Sequence, residues 1–350
     1  MQEIKNIFGT GKMYNVEDLE GKVYVTSAAC MSVWSDFLSW ANAHTDRMEK
    51  DPKKADSVVV LGCQVTDLAI LNDINVATRL HNETGADIYM GGCLAQRMDI
   101  ELPPFIRRLD VVRTVGQEIN DRRLIDYEPP YWVPEFEESK DNFKDGNLFR
   151  NFYPLKIGAG CHGKCKYCTI KHTRGETYAT VPETQIEEFL NHEDVVLISD
   201  SPTVDQIKTW CAIAERLQKQ ISIRNIEPQT LVACGDEVVE LAKAGYLNIL
   251  HCPIQSYDEE VLKAMNRSVT MTKRALEIMQ LVRSLGVKVA TNIIIDYRVD
   301  DKLYSNHDKE RLESEFDYYS WNPYFDGNFS LKKAKERFKK YIGEWYYENI

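Results

Sequence analysis

Three cysteines stand within eight residues in the run Gly158-Ala159-Gly160-Cys161-His162-Gly163-Lys164-Cys165-Lys166-Tyr167-Cys168, and no other feature limits the fold as strongly. The thiols share one loop, and its glycines let the backbone turn tightly around a common guest. Three thiolates can wrap one face of a cubane iron cluster and leave one iron open to an outside ligand, as catalytic zinc sites keep one position open. On the residues alone, a structural zinc site of Cys161, Cys165, Cys168 and His162 or His172 is the alternative. It usually needs a second paired half, and none lies nearby. Plain burial suits a loop of glycine and lysine poorly.

The chain of 350 residues is long enough for two domains. Hydrophobic residues make up 43% and charged residues 28%, the balance of an ordinary soluble protein. Met1 to Asn15 carries no apolar signal core, and no apolar run nears the roughly 18 residues of a membrane helix. These features predict a cytoplasmic protein with no membrane partner. In a reducing compartment nine cysteines are not a disulfide framework, which leaves metal ligation, redox chemistry or burial. The net charge of -11 argues against a broad nucleic-acid-binding surface but leaves room for a local basic groove.

Within residues 1–126, β-rich runs at Val23–Thr26, Ser57–Leu61 and Asp87–Met90 each precede a stretch of helical spacing, which predicts a small α/β unit with a parallel sheet. Each run leads almost at once to a cysteine: Cys30, Cys63 and Cys93, at intervals of 33 and 30 residues. One βα repeat per interval brings all three to the same sheet edge, the carboxyl end where ligands sit in such sheets. Residues 127–152, with Glu-Pro-Pro, Trp-Val-Pro and Asp-Gly, read as an extended linker. A second alternation fills residues 153–328, with strands expected at Leu155–Ile157, Val195–Ile198, Ile221–Ile223, Asn248–His251, Val287–Ile295 and Tyr318–Trp321. That pattern predicts a parallel sheet, open or partly closed as a barrel. Residues 329–350 read as a helix with an apolar stripe, a solvated basic face and a short tail.

Cys-x-x-x-Cys-x-x-Cys resembles the signature of the radical S-adenosylmethionine superfamily. Further segments resemble its methylthiotransferase branch. They are Asp51-Pro52 through Ala55-Asp56-Ser57-Val58-Val59-Val60 to Cys63, Gly92-Cys93-Leu94-Ala95-Gln96-Arg97, Cys168-Thr169-Ile170 with Thr173-Arg174-Gly175, and Leu250-His251-Cys252-Pro253-Ile254-Gln255-Ser256 with Leu262-Lys263-Ala264-Met265-Asn266-Arg267. The resemblance runs in order from about Lys22 to Trp321. It implies two 4Fe-4S clusters, one on Cys161, Cys165 and Cys168 and an auxiliary one on Cys30, Cys63 and Cys93, facing each other across the domain interface. It also implies S-adenosyl-L-methionine, cleaved reductively to a 5'-deoxyadenosyl radical, a partial (β/α)6 barrel, and an electron donor such as flavodoxin or ferredoxin. Candidate cofactor contacts are Tyr167, Asp200, Ser201, Glu227, Gln255 and Asn292. Tyr167 is placed to pack on adenine or to be a loop aromatic. Asp200 and Ser201 follow the second strand, where related enzymes bind the cofactor's amino group. Glu227, Gln255 and Asn292 lie on or just after later strands, at the barrel mouth or satisfied by backbone. Cys211, Cys234 and Cys252 match no ligand position and read as core.

The sequence also departs from the branch. Its members that modify transfer RNA or a ribosomal protein carry a terminal β-barrel, whereas only 29 residues follow Trp321 here. The basic stretch after Arg-Gly is replaced by Glu176-Thr177-Tyr178-Ala179-Thr180, which removes candidate phosphate contacts. The fifth strand runs into Ile295-Asp296-Tyr297-Arg298-Val299-Asp300 in place of a turn with glycine and proline, and Ser199-Asp200-Ser201-Pro202 differs from the usual segment. These differences favour a peptide side chain or small metabolite over transfer RNA, and leave open whether a methyl group travels with the sulfur.

Overall fold

A computed structural model describes residues 1–27, 29–110, 126–127, 148–149, 152–174, 177–304 and 308–342. Most of the expected linker 127–152 lies outside these residues, as do the tail after 342 and Gly175 and Glu176. Two compact units divide the chain: Met1–Pro134 with His172–Arg174 and Phe325–Ile350, and Glu135–Lys171 with Gly175–Tyr324. The terminal segment from residue 329, read from the sequence as a helix with an apolar stripe, groups with the first unit.

In the first unit the described strands are β1 (Gln2–Asn6), β2 (Gly9–Asn15), β3 (Val23–Ser27), β4 (Ser57–Gly62), β5 (Ile88–Gly91), β6 (Ile106–Asp110) and β7 (Asp126–Tyr127), in the sheet order β1-β2-β6-β5-β4-β3-β7. The central strands β3, β4 and β5 are parallel and buried along their whole length. Burial on both faces explains their continuous apolar runs rather than alternation. Helix α1 (Met31–Ala43) follows β3, α2 (Asp67–Thr84) follows β4, and the single turn α3 (Gly92–Ala95) follows β5. Thr66 Oγ1 accepts the Ala69 amide at 3.1 Å to start α2, and Gly85, in the left-handed region, ends it. The terminal helix Leu331–Ile342 lays Ala334 and Phe338 on Leu68, Ala69 and Leu71 of α2. Its Arg337 pairs with Asp67 at 3.1 Å.

The second unit contains β8 (Tyr153–Lys156), β9 (Gly158–Ala159), β10 (Tyr178–Ala179), β11 (Val195–Ile198), β12 (Ile221–Ile223), β13 (Leu247–His251), β14 (Lys288–Ile295), β15 (Tyr297–Val299), β16 (Lys302–Tyr304) and β17 (Tyr318–Pro323). Its main sheet among the described residues has the order β17-β14-β13-β12-β11-β8, with every pair parallel. Each strand lies beside its predecessor, with helices such as Val204–Arg216 and Val269–Ser284 in between. This is the expected partial six-stranded β/α barrel. The antiparallel pair β9–β10 and the hairpin β15–β16 are additions. The hairpin sits where the sequence departs from the usual turn. Asp296 and Asp300 adopt the left-handed conformations its bends need.

Candidate functional site

Each cysteine of the first unit leaves the sheet at the carboxyl end of a central strand. Cys30 is the N-cap of α1, Cys63 follows β4, and Cys93 lies in α3 after β5. All three are free thiols: burial first, then Cys30, Asp73 and Cys93, push the Cys63 thiol well above its ordinary value. The Asp73 carboxylate accepts the Cys63 amide at 2.6 Å and fixes that turn. The glycines before two of the cysteines hold the space open. A Cβ at Gly92, which has positive φ, would meet Val33 Cγ1 at 2.6 Å and the Gly62 carbonyl at 2.7 Å. Arg97, buried, supports the same edge by donating to Gln64 Oε1 at 3.0 Å and to the Gly327 carbonyl. Arg174 and Asp36 form a buried ion pair, with Arg174 also donating to the Ser32 carbonyl of α1.

In the second unit the loop after β8 and β9 carries Cys161, Cys165 and Cys168. The Gly163 amide donates to Cys161 Sγ at 3.2 Å, and a Cβ on Gly163 would lie 3.0 Å from that sulfur. Burial raises the Cys161 thiol, partly offset by the Gly163 amide and the Ser201 hydroxyl. Burial, with Cys161 and Cys165 nearby, pushes Cys168 up to about 12. Desolvated thiols held close together are costly as bare thiolates and are relieved by binding an electropositive centre. Among the described residues no three His, Cys, Asp or Glu side chains are grouped as ligands of a single metal ion. Both triplets are instead free thiols on glycine-lined edges with amide support. That donor chemistry fits a cluster, whose irons spread the ligands over several corners.

Asp200 accepts the Gly160 amide at 2.8 Å, and Ser201 reaches Cys161, so both serve the cysteine loop. Tyr167 packs against the cluster of Val261, Met265, Ile294, Tyr297 and Tyr304, and its hydroxyl accepts from Arg267 at 3.0 Å. Glu227 forms an ion pair with Arg267 at 2.8 Å. Gln255, in the left-handed region, is pinned to β14 through the Asn292 carbonyl at 2.9 Å and the Ile294 amide at 2.8 Å. Asn292 Oδ1 accepts from His251 Nε2, whose Nδ1 in turn accepts the Asn225 amide at 3.3 Å. That pair of bonds fixes a neutral tautomer on a fully buried ring. Tyr167, Glu227, Asp200 and Ser201 thus gather around the cysteine loop, while Gln255 and Asn292 meet on β14. Arg267 and His251 were given no role from sequence. Their motif placed them, but nothing local in the chain shows what a distant side chain will touch. Cys211, Cys234 and Cys252 are buried, and burial raises all three thiols.

The profile of the Radical SAM superfamily matches residues 155–303, which begin in β8 and include the Cys161, Cys165 and Cys168 loop. Residues 155–303 carry a radical SAM domain. Beyond that domain as well, the chain is similar to methylthiotransferases. It is 23% identical over 305 residues to ribosomal protein uS12 methylthiotransferase RimO of Clostridium botulinum, covering 79% of this chain and 68% of that protein. It is 24% identical over 313 residues to the tRNA-2-methylthio-N(6)-dimethylallyladenosine synthase of Helicobacter pylori, covering 79% and 69%. Among solved structures, the radical S-adenosylmethionine methyltransferase TsrM from Kitasatospora setae aligns at TM-score 0.48 and 11% identity, covering 79% of this chain and 68% of that one. So loose a likeness adds nothing to the assignment.

Proposed function

We propose that this radical SAM enzyme inserts sulfur, as sulfide or as a methylthio group, at an unactivated carbon of a peptide side chain or small metabolite. The observation that carries the reading is the second thiol triplet. Cys30, Cys63 and Cys93 leave three neighbouring strands at one edge, and Cys30 and Cys93 both lie close enough to act on the Cys63 thiol, as ligands of a shared cluster would. When bound, the Cys161, Cys165 and Cys168 cluster with S-adenosylmethionine supplies a 5'-deoxyadenosyl radical, and the auxiliary cluster supplies sulfur. The chain's own part is placement. Glycine-bearing loops hold the ligands, Asp200 and Ser201 brace the first loop, and the cofactor is held by groups at the strand ends, Glu227 among them. Excluding water and stray hydrogen donors protects the radical. The acidic balance, and Glu176 where a basic stretch is usual, support a substrate other than transfer RNA. We place the reaction in the cytoplasm, with a flavodoxin or ferredoxin as electron donor.

Anaerobic reconstitution followed by single-turnover assay tests this. Iron should reach about eight per chain, two cubanes of four. Cys165→Ala should abolish both 5'-deoxyadenosine and thiolated product. Cys63→Ala should keep cofactor cleavage and lose sulfur transfer, with iron content separating lost chemistry from misfolding. A folded Cys63→Ala protein that still delivers sulfur at the wild-type level would reject the sulfur-donor reading.

A further inference from the structure

Arg267 sits just past the helix Glu259–Ala264 and is 8% exposed. Its Nη1 lies 3.7 Å from Cys165 Sγ and donates to Tyr167 Oη at 3.0 Å. Its Nη2 donates to the Pro253 carbonyl at 2.8 Å and lies 2.8 Å from Glu227 Oε2. One planar fork thus touches the cysteine loop, the segment after β12 and the segment after β13. Contacts on four sides leave the guanidinium no room to swing away. The loop does not depend on Arg267 alone for its position. The Lys166 amide donates to the Met265 carbonyl at 3.1 Å, and Asn266, at φ 58°, donates through Nδ2 to the Lys164 carbonyl at 2.9 Å. The one thing Arg267 adds that these neutral bonds cannot is a buried positive charge at a ligand sulfur.

We infer that Arg267 is a positioning residue that raises the reduction potential of the cluster held by Cys161, Cys165 and Cys168, with Glu227 as its counterweight. Adding an electron makes the cluster and its sulfurs more negative. A cationic N–H beside Cys165 stabilises that state, and burial limits screening by water and salt. The Glu227 carboxylate, paired with the same guanidinium, opposes it. Removing Arg267 and removing the charge of Glu227 should therefore shift the potential in opposite directions, which a purely mechanical brace would not do. The inference rests on the triplet holding a cluster and not on the substrate or the sulfur donor proposed above.

The test uses the full chain with Cys30, Cys63 and Cys93 replaced by Ala, so that one cluster remains, reconstituted anaerobically and titrated with electron paramagnetic resonance as readout. Iron is counted first and should reach about four per chain. Arg267→Gln should move the midpoint down by about 59 mV or more, a tenfold change in a one-electron equilibrium. Arg267→Lys, which keeps the charge without the fork, should fall by less, and Glu227→Gln should move the midpoint up. A full complement of iron with an unchanged midpoint in Arg267→Gln overturns the inference. If Arg267→Gln fails to keep its iron, Glu227→Gln decides, and an unchanged or lowered midpoint there overturns it. Absence of a four-iron cluster in the parent chain would sink the ligand assignment itself, an outcome distinct from the potential results.

Discussion

At the scale of single residues, glycines next to cysteines matter as much as the cysteines. Gly92 precedes Cys93, has φ of 75°, and has no space for a Cβ against Val33 and the Gly62 carbonyl. Gly92→Ala should therefore cost about 1–3 kcal/mol through backbone strain, with the added clash displacing Cys93 from its partners. The expected outcome is a lower melting temperature together with iron loss confined to the cluster proposed on Cys30, Cys63 and Cys93. Full retention of that iron would show the edge to be more yielding than its geometry implies. The same scale shows where sequence reading reached its limit. The cysteines announce themselves by spacing, because one βα repeat brings successive strand ends together. Arg267 and His251 do not, because their partners Cys165, Glu227 and Asn292 lie dozens of residues away and are met only after the sheet has formed.

At the scale of elements, the terminal helix Leu331–Ile342 belongs to the core of the first unit through Ala334 and Phe338, both fully buried on α2. Phe338→Ala should cost about 3–5 kcal/mol, the usual range for removing a buried aromatic. Denaturant unfolding of the purified chain would check it, and a loss under 1 kcal/mol would mean that the helix is an ornament. Apolar strands were legible almost residue for residue, since β11 and β12 match their expected limits. Prolines blurred the ends of others. The first barrel strand begins earlier than expected, at Tyr153, because Pro154 argues against a strand until β8 is seen at the sheet edge, where a missing donor is tolerated. The last strand, β17, is the opposite edge and likewise ends in proline, at Pro323. The β1–β2 hairpin was missed because both strands are largely exposed and polar, and β6 because Arg107 and Arg108 interrupt its apolar pattern. The hairpin β15–β16 showed only as a departure from a familiar turn.

At the scale of the whole molecule, a net charge of -11 sets the long-range field. Binding to transfer RNA should be weak at physiological salt, since phosphate recognition depends on clustered cations and falls steeply as salt rises. A gel-shift titration at two salt concentrations checks this. Tight, salt-sensitive binding would return transfer RNA to first place as substrate, with the exposed lysines of Leu331–Ile342 as the first surface to mutate. The division into units has a further consequence, for the order in which the chain can assemble. The second unit is inserted within the first, and each strand of its main sheet pairs with the strand made before it, so it can grow from the ribosome step by step. The first unit must wait. Between Pro134 and Phe338 about two hundred residues are synthesised, which takes on the order of ten to forty seconds. Throughout that interval Leu68 and Leu71 lack their cover and Cys63 sits beside an open apolar face, so the newborn chain has a long exposure to aggregation and to premature iron capture at this edge of the first unit.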